Sequence, residues 1–527
     1  MRVRSPRATR RHALLAVLLV AAPFANALRP AALQAQRAAT PVRSRVSAPA
    51  PAAGTMLLHA EPIALQRGGL MMAERGIIVV PVNRRAPARG VLTLEVYRFR
   101  ATRPQVGAPP IFLLYGGPNF LGLEPLLAQK GYYEQRLRAL HATADLVVVS
   151  QRGIGPSKPT TLIEGPRPFP LSHAVTAAEE AAAYRDAAVR AKAAWTQQGL
   201  DLTGFTVLEA AADLNDVRRA MGYDRIVLWG GSFGSHWAMA TMRRYPSIVA
   251  RAVLRGMEGP DHTYDIPSDV LGAVRRIAAE ADTASALRGM IPPGGLMAAL
   301  DSVLARVSAH PVMVTVTGAK SGRTDTVRIG VEDVREAAMG YTKTASSRDG
   351  MRSWAADIIT MYRGDFTGLA QSRVAKRDTE TFRTASYFML DCGSGITAAR
   401  SAQIAADPAV RVLGPLGVDY RESCPSWNID LGDAFRQNFT SAIPMVISQG
   451  DYDVSTPMEN ARELAPFFTN STLVIVHGGS HPALDDAMDA LPAYAEAILT
   501  FARTGSKAGL PSSVQLPAIR WVVPPSR

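Results

Sequence analysis

The chain has 527 residues, 47% of them apolar, which is length for two to three domains and material for an ample core. Its formal charge of +13 suggests nucleic acid or an anionic surface until its location is considered: nine arginines and no acid fall in residues 1–50, leaving 49 basic against 45 acidic residues, or +4. That near balance, without a basic stripe or an RNA-binding or helix-turn-helix signature, argues against nucleic acid as a partner.

The N-terminus reads as a targeting segment. Arg2, Arg4, Arg7, Arg10 and Arg11 precede a twelve-residue apolar run, Ala13 to Phe24, and the small residues Ala25-Asn-Ala27. This is the pattern of a signal peptide over residues 1–27, and the run is too short to span a bilayer. Arg10-Arg11 leaves twin-arginine export open beside the general secretory route. No cysteine lies near the cleavage region, so neither a lipid nor any other stable membrane anchor is expected, and the product belongs in the periplasm or outside the cell. Residues 28–54, rich in Ala, Pro, Arg and Gln, read as a disordered linker.

From residue 55 the pattern is one of short Val/Ile/Leu runs separated by helices such as Ala174 to Trp195 and Val207 to Met221. That alternation predicts an α/β fold, a mostly parallel sheet covered by helices on both faces. The run Arg225 to Leu228 leads into Gly230-Gly231-Ser232-Phe233-Gly234, with helical pattern from Ser235 to Arg244. A serine flanked by glycines at minus two and plus two, on a sharp strand-to-helix turn, is a nucleophile elbow. The plainer alternative is an ordinary turn.

A serine hydroxyl becomes nucleophilic only when a base takes its proton and a carboxylate orients that base. Five histidines follow Ser232 in the chain: His236, His262, His310, His477 and His481. His236 falls in the elbow helix and His262 and His310 in an inserted segment; His477 closes the strand Leu473 to Val476, whereas His481 lies in the loop after it, where a base can reach back over the sheet. The strand Ile443 to Ser448 runs into Gly450-Asp451-Tyr452-Asp453, so either Asp451 or Asp453 can orient the base, and spacing does not separate them.

The candidate acid Asp453 follows the nucleophile by 221 positions, more than one or two strand-helix units need. After the strand Ala250 to Leu254, helical runs at Val270–Ala281, Leu296–Val307, Val331–Met339 and Met351–Met361, with a hairpin at Pro311–Ile329, predict a lid over the serine. The expected organisation is a core at 55–258, a lid at 259–440, a second core segment at 441–506 and a C-terminal tail at 507–527. Cys392 and Cys424, alone and 32 positions apart, suit one disulfide in an oxidising compartment, worth roughly 3–4 kcal/mol on the loop-entropy model; two separate buried thiols are the alternative. No metal site and no cofactor are expected, because no histidine pair has ligand spacing on a helix and neither cysteine has a near partner.

Four ordered motifs resemble those of the prolyl and tripeptidyl aminopeptidase family of α/β-hydrolase peptidases. Phe112-Leu-Leu-Tyr-Gly-Gly-Pro118 is similar to its oxyanion loop, Asp145 to Ser157 to its Gln-Arg-Gly segment, Gly450, Asp453, Thr456 and Pro457 to its acid loop, and the loop ending in His481 to its terminal Gly-x-x-His. The resemblance covers about residues 75–260 and 385–503. It implies the α/β-hydrolase fold, Asp453 rather than Asp451 as the orienting acid, and an oxyanion hole made by the N–H groups of Phe233 and Gly117, since Pro118 has none to give. Gln151-Arg152-Gly153 reads as structural. The chain departs from the family at Tyr115, Asn119 and Ser150, which puts the lining of the oxyanion site in question.

The expected activity is therefore serine hydrolysis by Ser232, His481 and Asp453, preferably of peptides near a free N-terminus, with small esters or lactones as the alternative substrates. A binding protein that has kept the fold without catalysis is the remaining alternative. An aminopeptidase needs a carboxylate to receive the substrate ammonium. Glu258, just past the strand Ala250 to Leu254, is the candidate; a solvated glutamate or one paired with Arg255 is the competing reading.

Overall fold

Short apolar runs that bury side chains on both faces build the centre of the structure, a computed structural model that describes residues 51–65, 69–118, 122–123, 127, 131–163, 169–319, 322–339, 348–377 and 383–525, all within the unit Pro51–Arg527. The expected signal peptide, nearly all of the linker, and Asn119 lie outside the described residues.

In chain order the strands are β1 Met56–Ala64, β2 Leu70–Pro81, β3 Val91–Phe99, β4 Ile111–Leu114, β5 Leu146–Val149, β6 Leu162–Ile163, β7 Ile226–Gly231, β8 Val249–Arg255, β9 Val312–Thr317, β10 Thr324–Ile329, β11 Arg383–Thr384, β12 Met445–Gly450, β13 Ser471–His477 and β14 Ser513–Gln515. Ten of them form one sheet in the order β1-β2-β3-β5-β4-β7-β8-β12-β13-β14. Pairing is antiparallel from β1 to β5 and parallel from there to β14.

Because side chains alternate along a strand, each inner strand feeds two cores. Phe112, Val147, Val149, Ile226 and Leu228 meet the helices Ala177–Gln197, Val207–Ala220 and Phe233–Arg244 on one face. Ile111, Leu146, Val148, Val227 and Trp229 meet Gly131–Leu140, Ala483–Ala490 and Pro492–Thr504 on the other. This explains why β5 and β7 are buried at every position and read as unbroken apolar runs. The chain has the α/β-hydrolase fold, a largely parallel sheet between two helical layers.

The segment after β8 makes a third core. Helices Pro267–Thr283, Gly295–Ala309, Val331–Met339 and Arg348–Tyr362 and the antiparallel β9–β10 hairpin pack around Leu271, Val303, Val316, Ile358 and their neighbours. Its later part behaves differently. Met389, Leu390 and Trp427 belong to the sheet's own core, with the Trp427 ring stacked on Trp195 at 5.7 Å. Cys392 and Cys424 are joined, tying the helix Ala385–Ser394 to Val418–Trp427. The C-terminal segment packs closely as well: it supplies β14, then buries Leu516 in the sheet's core and Ile519 and Trp521 in the lid's. Among the described residues no helix is long and apolar enough to cross a membrane.

Candidate active site

The strand order turns back on itself at β4, with β5 on one side and β7 on the other, and loops leaving the carboxyl ends of such strands open a crevice for ligands. Residues Tyr115–Pro118 leave β4 there and Ser232 leaves β7. Ser232 stands between β7 and the helix Phe233–Arg244 with φ 56° and ψ −134°, a positive-φ conformation that non-glycine residues seldom adopt. Its glycine neighbours make the turn possible. A Cβ on Gly230 would lie 2.4 Å from the Gly234 carbonyl oxygen, and one on Gly234 would lie 2.2 Å from that of Leu114. The turn is held by the Ser232 N–H, which donates to the carbonyls of Gly256 (3.0 Å) and Arg255 (3.2 Å), and by Ser235 Oγ, which donates to the Ser232 carbonyl (2.8 Å).

Gly116 packs on the serine so closely that a Cβ there would come within 2.9 Å of Ser232 Cβ. Gly117 follows at φ 112°, joined to Pro118 by a cis peptide. The side chain of Gln151 fixes this loop by donating to the carbonyls of Tyr115 (3.0 Å) and Gly116 (3.2 Å). Arg152 is fully buried. It pairs with Asp213 of the helix Val207–Ala220 at 2.6 Å and donates to the carbonyls of Pro81, Val82 and Gly204, so it cements loop to helix and does not face a substrate. Among the described residues the N–H groups of Gly117 and of Phe233, the first residue of its helix, have no backbone acceptor. Such unpartnered N–H groups are what an oxyanion requires.

On the far side of Gly256 lies His481. A Cβ on Gly256 would be 3.0 Å from the imidazole Cε1, and the same glycine's carbonyl receives the Ser232 N–H, so one backbone unit separates serine from histidine. His481 Nδ1 lies 3.0 Å from each oxygen of Asp453 and 3.1 Å from Thr456 Oγ1. Asp453 is fully buried and saturated. It accepts from the N–H groups of Ser455 and Thr456 (2.9 Å each), from Thr456 Oγ (2.8 Å) and from Gln449 Nε2 (3.2 Å). Burial alone would push its carboxyl up; the facing His481 and the Thr456 hydrogen bonds together outweigh that and hold it below its ordinary value. A carboxylate that stays ionised beside Nδ1–H fixes the tautomer that leaves Nε2 free to accept a proton. Among the described residues Ser232 Oγ makes no hydrogen bond, so the serine is not engaged with His481 in this state.

Asp451 and His477 form a separate pair. Asp451 meets His477 Nδ1 at 3.0 Å and accepts the Gly478 N–H at 2.8 Å, away from His481, and His477 is half exposed. The side chains of His236 and His262 turn to other partners. His236 is buried, its Nδ1 donating to the Gly259 carbonyl (3.1 Å) and its Nε2 accepting from Ser394 Oγ (2.7 Å), and burial brings its pKa down to about 4. His262 is buried against Glu463 at 3.2 Å.

Glu258 lies two residues beyond Gly256. Its N–H donates to Ser235 Oγ (2.9 Å), placing it against the first turn of the elbow helix, and the residue is 8% exposed. It is neither solvated nor paired with Arg255, which instead reaches Asp485 (3.1 Å) and donates to the His481 carbonyl (3.2 Å). Burial raises the Glu258 carboxyl well above its ordinary value, and the nearby Asp391 and Asp265 raise it further. Asp391 is buried with Oδ1 lacking a hydrogen bond, and burial raises it strongly too; Asp265, held by Asn460 Nδ2 at 3.0 Å, is pushed up by burial to about 7. Among the described residues no three His, Cys, Asp or Glu side chains converge as a metal site would need.

Sequence reasoning did not find Gln449, Asp391 or Asp265, and weighed Arg255 only as a partner for Glu258. Gln449 bridges the site by donating to Asp453 and to the Thr456 carbonyl (2.8 Å) while accepting the Met257 N–H (3.0 Å), and nothing in its neighbourhood in the chain signals this. Thr456 stood within a recognisable motif, yet its place between Asp453 and His481 appears only once the loop is folded.

Fold and site together define the class. Residues 109–290 match the family described as alpha/beta hydrolase fold, and residues 411–509 match that of the TAP-like proteins. More particularly, the chain is similar to the serine protease Hip1 of Mycobacterium tuberculosis, 26% identical over 195 residues that cover 35% of this chain. The alignment spans 36% of that relative's own length. Solved structures of similar shape include a serine hydrolase from Cycloclasticus zankles (13% identity, TM-score 0.34, covering 81% of this chain and 97% of that one) and a proline iminopeptidase-related protein from Thermus thermophilus (14%, TM-score 0.34, 82% and 99%).

Proposed function

We propose that the protein is a serine hydrolase in which Ser232 is the nucleophile, His481 the base and then the acid, and Asp453 the group that orients His481. The observation that carries this reading is the contact of His481 Nδ1 with both oxygens of a buried, fully hydrogen-bonded carboxylate, one glycine away from a serine held at φ 56°. In the first half-reaction His481 Nε2 takes the Ser232 proton as Oγ bonds to the acyl carbon. The developing oxyanion is received by the N–H groups of Phe233 and Gly117. Nε2–H then passes the proton to the leaving amine as the carbon–nitrogen bond breaks, and water repeats the sequence on the acyl-enzyme.

The substrate class we propose is peptides with a free N-terminus. Burial raises the carboxyls of Glu258, Asp265 and Asp391, and Glu258 is raised further by the other two. A substrate ammonium would supply the counter-charge that Glu258 and Asp391 lack and so be bound selectively. The match to TAP-like proteins and the likeness to a serine protease support a peptidase. We place the enzyme outside the cytosol, where a Cys392–Cys424 bond persists.

The test is a fluorophosphonate probe together with a panel of aminoacyl and peptidyl anilides and acyl esters. Wild type is expected to be labelled, and Ser232→Ala to lose labelling and on the order of 10⁴-fold or more in kcat. Equal labelling of the variant overturns the assignment. Glu258→Gln should raise KM for free-N-terminus peptides and leave N-acetylated peptides and esters unchanged. Uniform behaviour across the panel would make it an esterase instead.

A further inference from the structure

The loop that carries Asp453 is shared between two bodies. Successive side chains from 451 to 454 point alternately: Asp451 and Asp453 turn toward the segment His477–His481, while Tyr452 and Val454 are buried in the core of the lid. The lid helix Pro267–Thr283 grips this loop directly. Arg276 Nε donates to the Asp451 carbonyl at 2.6 Å, and Glu280 Oε2 accepts the Tyr452 hydroxyl at 2.9 Å. The other oxygen of Glu280 accepts the N–H of Ile519 at 2.6 Å.

Ile519 belongs to a strap. After β14 pairs with β13, the chain passes from the sheet's core at Leu516 to the lid's core at Ile519 and Trp521 within five residues. It is laced to the lid helix Arg348–Tyr362. Arg348 donates to the Pro517 carbonyl, Arg352 Nε to that of Arg520 at 2.9 Å, and the Val522 N–H returns a bond to the Arg352 carbonyl at 2.8 Å. One carboxylate therefore ties three elements together: lid helix, acid loop and C-terminal strap.

We propose that Glu280 is a positioning residue for the Asp453–His481 pair, so that the lid must be seated, and latched by the strap around Ile519 and Trp521, before the orienting carboxylate meets its histidine. This rests on the triad reading above. The physical reason is that Tyr452 and Asp453 are adjacent on one short loop: if the lid carries Tyr452 outward, Asp453 cannot keep two oxygens at 3.0 Å from Nδ1. Lid seating and base orientation then become a single two-state equilibrium, which is the physical requirement for coupling between distant segments.

Kinetics on an acyl ester and a free peptide, with Glu280→Gln, Tyr452→Phe, the double variant and Trp521→Ala, test this well below the melting temperature of each. Glu280→Gln and Tyr452→Phe are each expected to lower kcat about three- to tenfold on both substrates, with KM within about twofold, and to slow fluorophosphonate labelling of Ser232 in parallel. The double variant should fall short of the product of the two single losses, because the Tyr452–Glu280 bond is common to both variants, although Glu280→Gln also alters the acceptor of the Ile519 N–H. Trp521→Ala should give the same signature from the strap end. Variants that melt earlier but keep wild-type kcat, or losses that multiply in the double variant, overturn the proposal. If Ser232→Ala stays active, the triad reading itself has failed; if Ser232→Ala is dead and Glu280→Gln is normal, only this inference has.

Discussion

At Ser232 the backbone is held in a conformation that costs roughly 1–3 kcal/mol, and the surrounding glycines allow it because Cβ atoms at Gly230 and Gly234 would collide with backbone. The two candidate acids show how far neighbouring residues can diverge. Asp453 is fully buried, accepts from Thr456, Ser455 and Gln449 and faces His481, whereas Asp451, two positions earlier, faces the half-exposed His477. Asp453→Asn should therefore lower kcat on the order of 10³- to 10⁴-fold, since an amide cannot keep His481 in the tautomer that accepts a proton, while Asp451→Asn should cost about tenfold or less. Steady-state kinetics on one anilide substrate decides between them. The reverse ranking would transfer the orienting role to Asp451.

Among the elements, the helices Ala385–Ser394 and Val418–Trp427 are joined by Cys392–Cys424, and Tyr264 donates its hydroxyl to the same Cys424 sulfur at 3.2 Å. Asp391, one of the acids grouped with Glu258, is the residue before Cys392, so the bond fixes that part of the site to the sheet's core. Replacing both cysteines by serine should lower stability by roughly 3–4 kcal/mol on the loop-entropy model. The urea midpoint of wild type and variant, both unreduced, measures this. An unchanged midpoint would mean that the helices are held by packing alone. The helical runs and the β9–β10 hairpin of the lid follow their sequence periodicity closely, as in Val331–Met339, because amphipathic pattern acts over a few residues. The later part of the insertion does not show its allegiance in this way: Trp427 joins the sheet's core only because it meets Trp195, more than two hundred positions earlier.

For the whole molecule, the buried acids give stability a distinctive pH dependence. Asp265 has a folded pKa of about 7 against about 3.9 in an unfolded chain. Between those values the unfolded chain has released its proton and the folded one keeps it, so this group lowers stability as pH rises from about 4 to about 7 and has no further effect above. Glu258 and Asp391, also raised, act in the same direction, whereas Asp453, lowered, contributes stability that is lost as pH falls through its folded pKa. Asp265→Asn should match wild type near pH 4 and become the more stable of the two by pH 7, as read by urea unfolding across that range. Parallel curves would show that Asp265 titrates normally in the fold.

What can be read along the chain is what neighbouring residues decide. The parallel-sheet architecture, the serine on its elbow, and the acid and histidine on the loops after β12 and β13 follow from hydrophobic period and turn chemistry, which act within about ten residues. The tertiary structure decided what depends on residues meeting across the chain. It brought Asp453 rather than Asp451 to His481, drew Asp265 and Asp391 to Glu258, put Gln449 between Asp453 and Met257, and folded the last described residues into the lid through Ile519 and Trp521. Those outcomes turn on which face of a loop is buried and on which distant backbone groups need partners, and both exist only once the sheet, the lid and the strap are packed against one another.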